Sequence, residues 1–158
     1  MKKIKVLACL LAALLLVLPF ASCKSTPKVS VNCTVSVVGL DDDPIILDKS
    51  VTVTKDEGQT ITLLDAIRQA LDEMEIKYDV DEDDDGKPLG FNSITNTEGT
   101  EYKVGYTDAS KEYYGFWICT VDGVEPDKRA SIAPATEGAK IVYTYIVESQ
   151  ADLEAAAG

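Results

Sequence analysis

Histidine does not occur in this chain of 158 residues. Its absence removes His-ligated metal centres, Ser-His-Asp triads and Cys-His pairs together, since each relies on an imidazole that ligates or titrates near neutral pH. Basic residues are scarce: 15 Lys and Arg stand against 27 Asp and Glu, a formal charge of −12. A surface of that sign repels a phosphate backbone, so nucleic acid is excluded as a partner, while cations or a basic protein suit it. Large aromatics are few apart from tyrosine, with one Trp and three Phe against seven Tyr. Lysine and carboxylate chemistry stay open to such a composition, but no motif points to either. The expected protein is not an enzyme.

Long apolar runs are limited to one. Lys2, Lys3 and Lys5 precede Val6 to Ala21, sixteen residues without a charged or hydrogen-bonding chain apart from Cys9, and Pro19 interrupts them. That falls short of the ~20 residues a spanning helix needs. It has the charged and apolar regions of an export signal. The following Phe20-Ala-Ser-Cys23 resembles the lipobox of bacterial lipoproteins, with Phe20 where Leu is usual. The resemblance implies a lipoprotein signal peptide over 1–22 and lipidation of Cys23; an ordinary secretory signal is the alternative. Two or more acyl chains give a stable membrane anchor. Residues 23–28 then form a tether, Lys24 to Lys28 reaching about 17 Å when extended. An exported protein, held to the bacterial membrane and facing outward, is expected to meet a protein partner at the cell surface. Loss of the leader leaves 12 bases against 27 acids.

Beyond the tether, Val29, Val31, Cys33, Val35 and Val37 alternate with Ser30, Asn32, Thr34 and Ser36. Strict period two predicts a half-buried strand. Gly39 and Asp41-Asp-Asp-Pro44 break it, and a shorter strand is expected over Lys49 to Lys55, closed by a turn at Asp56-Glu-Gly58. Thr62-Leu-Leu-Asp65 has the reciprocal capping pattern of a helix start. Leu64, Ile67, Leu71 and Met74 follow at helical spacing, with Arg68, Gln69, Asp72 and Glu73 on the wet side. Further strands are expected near Gly90 to Thr95 and over Tyr114 to Val124, the latter central to the sheet and ending in an Asp122-Gly123 turn. Asn96 to Ser110 reads as a long loop with room for a short strand at Tyr102 to Tyr106. Ala139 to Val147 is the last strand, and 149–158 a flexible tail. Strands, one helix, then more strands predict an α+β domain over 29–148, a β-grasp-like mixed sheet with the helix packed on one face.

Thr62-Leu-Leu-Asp-Ala-Ile-Arg-Gln-Ala70, Phe91-Asn-Ser-Ile94, Tyr114-Gly-Phe-Trp-Ile-Cys-Thr-Val-Asp-Gly123 and Glu137-Gly-Ala-Lys-Ile-Val-Tyr-Thr-Tyr145 occur in an order that resembles a domain family of unknown function. That family is itself similar to the C-terminal β-domain of transcobalamin and intrinsic factor. Asp122 stands where Asn is common, and Ala139 replaces the acid after Gly138. The resemblance implies a fold more than a chemistry. It also implies cobalamin as a possible ligand, although the helical domain that holds the corrinoid in those carriers has no counterpart here.

Three site readings remain. Asp81-Glu-Asp83-Asp-Asp85-Gly86 matches the start of a calcium loop, in which Asp81, Asp83 and Asp85 would hold Ca²⁺ in a calcium-stabilised adhesion module. Asn92 rather than Glu at the twelfth position, and Pro88 inside the loop, favour a solvated acidic loop instead. Tyr113, Tyr114, Phe116 and Trp117 share one strand, so alternate members face opposite ways. One set belongs to the core, and the other is a candidate patch for a ligand or partner. Cys33 and Cys119 lie on apolar strand faces and are expected to be buried free thiols. The leading expectation is a surface-anchored, non-catalytic binding module; a small-molecule carrier is the alternative.

Overall fold

The computed structural model describes residues 26–107 and 109–157, so the leader and Cys23 lie outside the described residues. Two hairpin strands open it, β1 (Lys28–Val38) and β2 (Pro44–Asp56), followed by helix α1 (Leu63–Glu73). Then come β3 (Lys77–Glu82), β4 (Pro88–Thr95), β5 (Glu101–Lys103), β6 (Gly105–Tyr106), β7 (Tyr113–Val121), β8 (Lys140–Ser149) and helix α2 (Gln150–Ala157). The strands form two sheets: five in the order β2-β1-β8-β7-β6, and three in the order β3-β4-β5. β1 runs parallel to β8, and every other pairing is antiparallel. First strand beside last, with a helix laid across, is the mixed β-grasp-like sheet that the strand and helix pattern predicts.

The apolar face of α1 packs on β1 and β2. Thr62 and Asp65 cap its start reciprocally: the Asp65 carboxylate accepts from Thr62 N at 2.7 Å, and the Thr62 hydroxyl accepts from Asp65 N at 3.3 Å. The next free amides, on Leu63 and Leu64, donate to the Ala133 and Ala130 carbonyls, so the loop before β8 finishes the cap. Ala66, Ile67, Ala70 and Leu71 are wholly buried against Val35 and Val37 of β1 and Val51 and Val53 of β2. Small Ala66 and Ala70 let the helix sit close to the sheet. Met74, expected inside, is the C-cap and is 47% exposed. Glu75 takes a left-handed φ of 56°, which turns the chain early and buries Ile76 in place of Met74.

Three other expectations are corrected. The Trp-bearing strand is not central: β8 is, with Ile141, Tyr143 and Tyr145 buried between β1 and β7. Bulk in β7 marks the contact with the second sheet rather than the middle of the first. The acidic run does not form a loop throughout, because Lys77–Glu82 pairs with β4 as a strand. Tyr78 and Val80 face inward, while the acids between them take the wet side and hide the alternation. Finally, the tail is helical over Gln150–Ala157, started by the Ser149 hydroxyl accepting from Asp152 N at 3.2 Å and sustained by alanine.

Candidate functional site

One segment ties the two sheets together. β5 pairs with the second half of β4 (Ser93↔Lys103 to Thr95↔Glu101), and β6 pairs with the first half of β7 (Gly105↔Gly115, Tyr106↔Tyr114). Gly105, at a φ of 130°, is the switch between them, a conformation other residues adopt only with strain. Past this tie no pairing joins β4 to β7 among the described residues, and the loop 125–130 lines the space between them. Between them lies a cleft of about 570 Å³. Its lining includes Leu89 to Asn92 from β4 and Phe116 to Cys119 from β7, four consecutive residues from each. Consecutive residues on a strand point to opposite faces, so a cleft that meets all four runs along the strand edge.

Beside it lies a continuous layer of rings. Tyr78 meets Phe91 edge-on at 5.3 Å, Phe91 meets Tyr143 at 5.7 Å, and Trp117 stacks on Tyr143 at 5.1 Å and 3°. Tyr102 and Tyr145 complete the layer against the other side of the indole. Gly115 makes this possible, because a Cβ there would overlap the Tyr145 hydroxyl, which instead donates to Lys103 O at 2.7 Å. The Trp117 indole Nε1 is shut from solvent and has no hydrogen-bond partner among the described residues. An unpaired buried donor costs about 1–3 kcal/mol, so the ring is held by packing against that penalty.

Burial sets the buried thiol and phenols of this region apart from free ones. Burial pushes the Cys119 thiol up to about 11, and it raises Tyr143 further above its ordinary value. Burial and the Asp43 carboxylate push Tyr102 up to about 12, leaving it a donor to Asp43 rather than a base. A neutral thiol is a weak nucleophile. Lys128 and Arg129 stand at the rim with Asp81, Glu125 and Asp127. That mixture can orient a ligand.

The four aromatic candidates are parted by the structure. Trp117 belongs to the inter-sheet layer, and Phe116 reaches the cleft from the opposite face of β7. Tyr114 sits edge-on to Tyr106 at 5.4 Å on that face. Tyr113, 47% exposed, lies with Glu112, Ser149 and Glu154 in a separate cleft of about 430 Å³. Tyr114 and Phe116 stay together on that opposite face, with ring centroids 6.5 Å apart, as the alternation requires. Asp81 is a strand residue opposite Gly90, whereas the Asp83 carboxylate accepts from the Asp85 and Lys87 amides at 3.0 and 2.8 Å and shapes the turn. Asp85 is exposed, with Lys87 at 3.5 Å. Among the described residues no group of three or more His, Cys, Asp or Glu is placed to hold a metal ion. Cys33 and Cys119 are buried and free. β8 separates their strands, and Cys119 lies across Tyr143 from Val37, four residues (about 13 Å of strand) from Cys33, so the thiols are beyond disulfide reach.

Phe91, Tyr143 and the loop residues Glu125 to Ala130 escaped the sequence reading as site residues. The one signal for the loop was its position, a charged Pro-containing stretch directly after the Asp122-Gly123 turn. No family model matches the chain, and no curated protein matches it. Among solved structures it is similar to a presumed metal-binding protein from Ruminococcus gnavus ATCC 29149, at 18% identity and a TM-score of 0.38, over 73% of this chain and 96% of that one. The coordinates define an α+β module with an edge cleft.

Proposed function

We propose that this is an exported, lipid-anchored, non-catalytic binding module whose ligand enters the cleft between β4 and β7. One observation carries the reading. A cleft of about 570 Å³ lies where two strand edges part, beside a buried aromatic layer with an unpaired indole donor. Its size falls in the range of ligand sites, and an apolar wall with a few polar groups is their usual make-up. The absence of histidine and the raised thiol and phenol groups favour capture over chemistry. Cys23 and the leader support attachment at the outer membrane surface, where a partner protein would meet the cleft. Corrinoid carriage is kept as the alternative on the motif resemblance alone.

The test uses 8-anilinonaphthalene-1-sulfonate as the probe and the chain's only Trp as the internal reporter. Gly90 lines the cleft, and a Cβ there meets nothing within 4 Å, so Gly90→Leu is chosen to place a bulky side chain at the lining. Saturable dye fluorescence with quenching of Trp117, both lost in Gly90→Leu at unchanged circular dichroism, is the expected result. Dye binding that ignores Gly90→Leu overturns the cleft as the site. Cyanocobalamin, titrated in parallel, tests the alternative: a Gly90→Leu-sensitive spectral shift would favour corrinoid carriage.

A further inference from the structure

We infer that the cleft takes an extended polypeptide segment, which adds as a strand to the open edge of β7 at Trp117 and Cys119. This rests on the cleft being the binding site and names the class of its ligand. The β7 ladder supplies the reason. Asp122 N donates to Lys140 O at 2.8 Å and Gln150 N to Glu112 O at 2.7 Å, so even-numbered residues make the bonds to β8. The register is unbroken from Tyr113↔Ser149 to Val121↔Ile141, which places Phe116, Ile118 and Thr120 in the same class. In an antiparallel ladder bonded and non-bonded pairs alternate. The odd-numbered residues therefore turn their N–H and C=O to the other edge.

On that edge Tyr113 O accepts from Thr107 N at 3.1 Å, Gly115 pairs with Gly105, and Val121 exchanges bonds with Val124 at 2.8 and 3.0 Å. Trp117 and Cys119 lie between these contacts, and among the described residues no strand pairs with them on this side. Lys103 would be next in register with Trp117. The turn at Gly105 carries it away to pair with Ser93, and its carbonyl accepts from the Tyr145 hydroxyl. Two N–H and two C=O groups, two residues apart, thus border the cleft. Their complement is another backbone, residues i and i+2 of an extended chain, the arrangement of strand-addition recognition. Recess inside a cleft also explains how such an edge avoids indiscriminate pairing.

Charge narrows the occupant. Asp81, Glu125 and Asp127 outnumber Lys128 and Arg129 around the opening, on a chain of net charge −12. A neutral or basic segment fits; an acidic one is repelled. Its alternate side chains would meet the Trp117 and Phe91 wall on one side and Phe116 and Ile118 on the other.

The test pans a phage library of random linear heptapeptides on the full chain. One selected peptide is then synthesised unmodified, N-methylated at residues of one phase, and N-methylated at the other phase. N-methylation removes an N–H donor and leaves the side chains unchanged. The expected result is a loss of tenfold or more in one phase and less than about threefold in the other. Binding should also shift Trp117 fluorescence and disappear in Gly90→Leu. Equal effects of the two phases overturn strand addition, as does selection of no cleft-dependent peptide. Occupation of the edge by a second copy, seen as a dimer that Gly90→Leu dissolves, overturns a foreign peptide as the occupant. If no peptide is selected while the dye still binds in a Gly90→Leu-sensitive way, strand addition falls and the cleft stands. If dye binding fails as well, both fall.

Discussion

The two halves of the large sheet are covered by different materials. Over β1 and β2 lies α1, with Val35, Val37, Val51, Ile67 and Leu71 closing on one another at 0–3% exposure. Over β8 and β7 lies a three-stranded sheet, and the filling is tyrosine, phenylalanine and tryptophan. Branched aliphatic chains and two helix alanines fill space densely. Rings that meet edge-on at 5–6 Å, as Tyr78, Phe91 and Tyr143 do, fill the space between two sheets tied at one end less densely and leave the other end open. The first half is built to hold the chain together, the second to leave an edge available. One loop serves both, since Ala130 and Ala133 cap α1 while Glu125 to Ala130 line the cleft.

The sharpest way to break this contrast is Leu71→Ala. The residue is wholly buried under the helix, so urea unfolding should show a loss of about 2–5 kcal/mol with the denaturant slope unchanged. A loss below 1 kcal/mol would mean that the helix is not the main fastening. Next in size is Gly115→Ala in the aromatic half. The new methyl displaces the Tyr145 ring and breaks its bond to Lys103, an overpacking effect of about 1–3 kcal/mol. Because this also disturbs the tie between the sheets, dye binding should weaken with it.

Asp65→Ala should cost about 1 kcal/mol by removing half of the capping box. Burial alone would raise the Asp65 carboxyl, but the Lys55 ammonium at 2.6 Å and the two bonds from Thr62 outweigh it and hold the group below its ordinary value. A depressed folded pKa stabilises the fold above the unfolded value of about 3.9, and that contribution is lost as pH falls through the folded value. The gap between wild type and Asp65→Ala should therefore be full at pH 6 and shrink below pH ~4; a constant gap would assign the effect to packing. The smallest effect is expected from Trp117→Phe. It deletes area but also an unpaired buried donor, so the terms oppose and stability should move by less than about 1 kcal/mol.

Much of the helix-covered half was legible beforehand. The Thr62–Asp65 cap and the spacing of Leu64, Ile67 and Leu71 are local signals that survived folding, and period two in β1 held in its second half for Cys33, Val35 and Val37, while Val29 is 39% exposed and Ser36 is buried. The errors fell where a local signal met a distant partner. Met74 kept helical spacing but lost its place to the left-handed Glu75. β3 was concealed by its acids, which read as solvated loop until Tyr78 and Val80 found Phe91 and Ile94 through pairing with β4. Of the candidate site, Trp117 and Phe116 could be named, but not the β4 wall, Tyr143 or the loop. Those come together only through strand pairings that span tens of residues.

What the sequence by itself determined is the set of pieces: an acidic, histidine-free chain, a half-buried first strand, a capped amphipathic helix and an aromatic strand. Those follow from periodicity and capping, which act over a few residues. Tertiary structure alone decided that β8 takes the centre, that Gly105 hands one segment from one sheet to the other, and that Trp117 and Cys119 keep an open edge. Which backbone groups remain unpaired is a property of the whole ladder, and no stretch of residues carries it alone.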